Sequence, residues 1–115
     1  MPRKTVQNDI TSEALLKQVN PKNMRLKKDF LQYLHSMQRS DKTCAAYAND
    51  LDIFFVYLLQ NCDNKFFVDM TKRDLISFQT YLIDENKNSP ARIRRIKATL
   101  SSLSNYISNV LVDEF

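Results

Sequence analysis

The stretch SPARIRRIKATLSSLSNYISNV, Ser89 to Val110, decides the fold. Ile93, Ile96, Leu100, Leu103, Ile107 and Val110 recur at three- and four-residue intervals, which keeps one helix face apolar for about five turns. Ser89 is a natural N-cap, and Pro90 at the first helical position loses no hydrogen bond there. Arg94 points away from the apolar stripe, and Arg95 and Lys97 flank it. An amphipathic helix of this length needs partners to cover its stripe, so the rest of the chain is read for them. We call it helix D.

Three partners lie upstream. Thr71-Lys72-Arg73-Asp74 opens helix C with an arrangement like a capping box, Asp standing in for Glu. Leu75, Phe78 and Leu82, with Gln79, share its inner face, and Ile76, Tyr81 and Ile83 flank it. Helix B, about Lys42 to Gln60, carries a main stripe of Cys44, Tyr47, Ala48, Leu51, Phe54, Phe55, Leu58 and Leu59. Its second half adds Ile53, Val56 and Tyr57 on other faces, so it is either a central helix or one with a second partner surface. Asp41 is its expected N-cap. Helix A, about Asn23 to Gln38, aligns Leu26, Phe30, Leu34 and Met37. Residues 1–22 read as a flexible arm closed by Pro21, with a short helix over Thr11–Val19 capped by Thr11 or Ser12.

The chain contains no glycine, where average usage would give about eight residues. That removes Walker loops, dinucleotide fingerprints, nucleophile elbows and EF-hand loops at once. It also disfavours the tight hairpins that lean on glycine for positive φ. Asn61-Cys62-Asp63-Asn64-Lys65 is a loop made from Asn and Asp instead, Phe66-Phe67-Val68 a short apolar plug, and Asp84–Asn88 a polar turn. The expected fold is an all-α, compact four-helix orthogonal bundle. No apolar run is long enough to span a membrane, and Met1-Pro2-Arg3-Lys4 leads into polar residues, not a signal sequence. A cytoplasmic protein is expected.

Catalytic chemistry finds no constellation. His35 is the only histidine, and no nucleophile is paired with it. Cys44 and Cys62, if on one helix, are roughly 27 Å apart and beyond disulfide reach. Two cysteines and one histidine are too few for a zinc site. The carboxylates are scattered, with Asp50 and Asp52 on different faces of helix B. No catalytic residue, metal or cofactor is expected.

Charge is more informative. The net charge is +4, and residues 89–112 carry Arg92, Arg94, Arg95 and Lys97 with no acid among them. A clustered basic face is the footprint of a nucleic-acid binder, as well as of an ordinary solvated surface. Lys42 and Thr43 at the start of helix B supply a cation, a hydroxyl and free backbone N–H groups, the combination that suits a phosphate. Ser89, Arg92, Arg94 and Arg95 offer the same at the start of helix D.

Phe30-Leu31-x-Tyr33-Leu34 is followed by Arg39-Ser40-Asp41-Lys42-Thr43-x-x-x-Tyr47-x-x-Asp50-Leu51-x-x-Phe54. Then come Met70-Thr71-Lys72-Arg73-Asp74-Leu75 and Ser89-Pro90-Ala91-Arg92-Ile93-x-Arg95, ending in Leu100-Ser101-x-Leu103 and Tyr106. In this order and spacing the pieces resemble the N-terminal core-binding, SAM-like domain of tyrosine recombinases, the family of phage-type integrases. The resemblance covers about residues 24–112. It implies sequence-specific binding of double-stranded DNA at the core recombination site, in DNA integration and recombination carried by a bacterial or phage mobile element. It implies a helical domain at 23–112, with 113–115 beginning a linker to an absent C-terminal catalytic domain. That domain carries the family's strand-cleaving set with its phosphotyrosine, none of which is in this chain. Other partners implied are neighbouring recombinase protomers on DNA.

The positions matching the family's DNA contacts are Lys42, Thr43, Tyr47, Ser89, Arg92 and Arg95, and Arg94 and Lys97 complete the basic face. Ala46 falls where some relatives place a polar base-reading side chain, which shifts weight from helix B to helix D. Arg3 and Lys4 of the arm are further candidates for backbone contacts. The alternative reading is a helical protein–protein interaction domain for an acidic partner, resting on Ile53, Val56 and Tyr57 as a free apolar face. A helix-turn-helix regulator is a third, without the tight two-helix turn such proteins use.

Overall fold

A computed structural model describes residues 13–84 and 89–111. The expected arm contacts Arg3 and Lys4, the caps Thr11 and Ser12, most of the polar turn after Asp84, and the linker at 113–115 lie outside them. The elements run α1 (Glu13–Leu16), α2 (Pro21–Ser36), α3 (Asp41–Asn61), a 3₁₀ turn (Phe67–Asp69), α4 (Lys72–Asp84) and α5 (Pro90–Asn109). Helices A to D are α2 to α5. Among the described residues there is no strand, and the all-α architecture stands.

Local chemistry sets the boundaries. Helix α2 begins at Pro21, with the Asn20 side chain accepting from Lys22 N at 2.9 Å, so the proline opens this helix instead of closing the arm. The cap of α3 is Ser40 and not Asp41: Ser40 Oγ accepts from Thr43 N at 3.1 Å, and Asp41 becomes the first-turn acid. A hydroxyl one residue earlier reaches the N3 amide and leaves the Asp41 carboxylate free to face the helix dipole. Helix α4 has the reciprocal capping box, with Asp74 N to Thr71 Oγ1 at 3.2 Å and Thr71 N to Asp74 Oδ2 at 3.0 Å. Ser89 caps α5 through Arg92 N at 3.2 Å.

Helix α3 is the centre. Leu51, Ile53, Phe54, Phe55, Val56 and Leu58 are wholly buried, and Tyr57 nearly so. Of the two readings its all-round apolarity allowed, the central helix is the one observed. The face formed by Ile53, Val56 and Tyr57 is not free, and the alternative that rested on it loses its main support. Phe54 packs edge-on against Phe78 of α4 at 4.7 Å and Phe67 of the 3₁₀ turn at 5.8 Å, so the apolar plug is a piece of the core. Val19 is also buried, and Leu15 and Leu16 pack beside it.

Amides do the stitching that hydrophobic periodicity does not reveal. Buried Asn23 donates to Lys65 O at 2.9 Å and accepts from Phe67 N at 2.7 Å. Asn64 accepts from Asn20 N at 2.9 Å and donates to Gln18 O at 2.9 Å. These bonds tie the front of α2 to the loop after α3.

Candidate nucleic-acid interface

The basic residues of α5 sit on a helix that three polar contacts fix against α3. Asp50 is completely buried, an arrangement tolerated only with partners. Its Oδ1 accepts from Arg95 Nη2 at 2.7 Å and its Oδ2 from Arg95 Nε at 3.2 Å, while the Thr99 hydroxyl donates to Oδ2 at 2.9 Å. The Asp50 bond also raises Arg95 above its already high pKa. Arg95, expected to be a free DNA contact, therefore has one edge committed to the protein, and its side chain remains 45% exposed. The sequence reading missed Asp50 and Thr99. The available signal was a carboxylate embedded in the apolar stripe of helix B, between Tyr47 and Phe54.

The other candidates differ in how free they are. Arg94 and Lys97 are exposed on α5, and Lys42 is exposed on α3. Tyr47 is half-buried with its ring stacked on Phe30, centroids 6.0 Å apart and planes 11° apart, so its body is packing. The Thr43 hydroxyl is engaged by Ser40 Oγ at 2.9 Å. Arg92 is only partly exposed, and its Nε and Nη2 are shut from solvent without an acceptor among the described residues.

The two helix starts are not neighbours. Tyr47 shares a surface cleft with Ser102, Tyr106 and Asn109, whereas Asp50, further along α3, meets Thr99 and Arg95. Helices α3 and α5 thus run antiparallel. Each start lies roughly 10 Å from the Asp50–Arg95 contact, in opposite directions, so about 20 Å separates them along the pair. Lys42 and Thr43 form one end and Ser89 and Arg92 the other, with Arg94, Arg95 and Lys97 between. The ends also differ electrostatically: Asp41 stands in the first turn of α3, and the first turn of α5 has no acid. An anion is better received at α5.

Elsewhere the charges are internal braces. Lys27 Nζ meets Asp52 Oδ1 at 2.6 Å between α2 and α3, and Lys65 Nζ meets Asp74 Oδ2 at 2.6 Å. Burial pushes the Cys62 thiol up, reinforced by the Asp74 carboxylate, so it stays protonated near neutrality. His35 is exposed. Among the described residues no group of three or more His, Cys, Asp or Glu side chains is placed to hold a metal, and no helix is long and apolar enough to cross a membrane.

Comparison with known proteins agrees with this architecture. The family model described as "Phage integrase, N-terminal SAM-like domain" matches residues 26–114. The chain is 33% identical over 103 residues to the "SPbeta prophage-derived recombinase-like protein YomM" of Bacillus subtilis (strain 168), which takes in 90% of this chain. It spans 30% of that relative's length. No solved structure matches. With the helical order, the four motifs and a family match running from α2 through α5, the chain belongs to the phage integrase N-terminal SAM-like domain family.

Proposed function

We propose that this chain is the part of a phage-type site-specific recombinase that binds double-stranded DNA at the core recombination site, with the chemistry of strand cleavage carried by a separate catalytic domain. The observation that carries the reading is α5: Arg92, Arg94, Arg95 and Lys97 lie on one helix with no acid from Ser89 to Leu111. Backbone N–H groups at its N-terminus add to the positive field. Helix α5 enters or lines the major groove, Arg94 and Lys97 meet phosphate, and the start of α3 gives a second anchor through Lys42. The distance of about 20 Å between the helix starts exceeds the ~12 Å major-groove opening, so the two ends face phosphates on opposite rims.

Titration of duplex DNA into isotope-labelled chain tests this. Amide perturbations are expected at 42–47 and 89–97. With four to six phosphates neutralised, log affinity falls against log salt with a slope of roughly −4 to −5. Perturbations confined to α2 or to residues 66–70 overturn the placement. Partner binding without DNA, with Arg92→Glu and Arg94→Glu leaving DNA affinity unchanged, overturns the function.

A further inference from the structure

We propose that Arg95 is a guanine-reading residue and that Asp50 is its positioning residue, holding the guanidinium so that one defined edge faces the DNA. The inference rests on the DNA-binding reading of α5 and deepens it. A guanidinium has five N–H donors in a rigid plane. Asp50 takes the side edge, with Nε and Nη2 bound at 3.2 and 2.7 Å. The adjacent, end-on edge keeps one N–H of Nη1 and the second N–H of Nη2, parallel and about as far apart as the O6 and N7 acceptors of guanine. The carboxylate that holds the side edge is itself wholly buried and accepts a further bond from the Thr99 hydroxyl at 2.9 Å. The arginine side chain stays 45% exposed although Asp50 holds its side edge.

Arg95 thus differs from its neighbours. Arg94 and Lys97 are exposed charges suited to phosphate, which any sequence supplies. Arg95 has already given up rotamer freedom in the folded chain, so little more is lost on binding. A held fork discriminates by geometry, and guanine in the major groove presents the matching acceptor pair.

The test selects duplexes from a randomised library with the full chain, then measures affinities of the selected duplex and its single-base variants. Wild type is expected to enrich one guanine position, with replacement of that guanine weakening binding roughly 5- to 100-fold. Arg95→Lys supplies charge without a fork, and should remove the discrimination at that position alone. Asp50→Asn should weaken it there as well. Arginine-selective NMR of the free wild-type chain needs no folded variant, and should show Arg95 Nε–H protected and the guanidinium rotating slowly. Failure of wild type to enrich any duplex overturns the DNA-binding reading itself. If duplexes are enriched, three other results overturn the present inference alone. Arg95→Lys leaves binding and base preference unchanged, so that Arg95 only braces α5. Arg95→Gln weakens all duplexes alike with the salt slope reduced by about one, which is phosphate contact. Or Arg95 rotates freely in the free chain.

Discussion

Gln38 shows how a chain without glycine ends its helices. It lies at φ 62°, in the left-handed region, at the position where α2 turns off. Gln38 N bonds His35 O at 2.9 Å and Arg39 N bonds Leu34 O at 3.1 Å, the two bonds of a Schellman motif. A side chain with a Cβ costs about 1 kcal/mol in that conformation. Gln38→Gly should therefore stabilise the domain by about 0.5–1 kcal/mol, less than the whole because glycine also loosens the unfolded chain; urea unfolding measures it. Asp63 and Asn64 adopt the same region after α3, but Asn64 holds Asn20 and Gln18 through its side chain, so a glycine there loses more than it gains. Arg92 makes the opposite trade. Its sealed Nε and Nη2 cost stability without an acceptor among the described residues. Arg92→Met keeps the apolar stem and removes the polar atoms, and should raise stability by about 1 kcal/mol while lowering DNA affinity. Paired urea and salt-matched DNA titrations check this, and a less stable variant refutes it.

At the scale of elements, helices were legible because their apolar spacing and their caps both lie within a few residues of each other in the chain. Ser89-Pro90 and Thr71-x-x-Asp74 behave in the structure as they read in the sequence. The boundary errors came where two capping residues competed, Ser40 with Asp41, and where Pro21 suited either an end or a start. Contacts between distant polar residues were not legible. Asn23 with Lys65 and Phe67, and Asp50 with Arg95 and Thr99, join residues whose separation along the chain carries no periodic signal. The start of α4 lends itself to a pH test. The Lys65 ammonium, and then the Thr71 backbone N–H, hold Asp74 below the usual carboxylate range. A folded pKa below the unfolded value of about 3.9 stabilises fully above that value, and the benefit is lost as pH falls through the folded pKa. The gap in melting temperature between wild type and Asp74→Asn should hold steady across neutral pH and close below about pH 4. A gap that persists in strong acid refutes the assignment.

For the whole molecule, the antiparallel crossing of α3 and α5 decides how binding energy is distributed. The two helix starts offer similar chemistry in the sequence; the fold puts them at opposite ends of a braced pair, with the buried Asp50 between them. Lys42 belongs to one end and Arg94 lies towards the other, and both are exposed. Groups more than about 10 Å apart with no shared partner act independently. Lys42→Ala and Arg94→Ala should each lower DNA affinity and reduce the salt slope by about 0.9, the loss of one phosphate contact. The double variant should lose the sum of the two within about 0.5 kcal/mol. Coupling beyond that would mean that both residues meet the same phosphate or that the helix pair moves on binding, and the Asp50–Arg95 brace argues against such movement. Neither variant should change which base is preferred, because neither removes a bond of the Asp50–Arg95 fork.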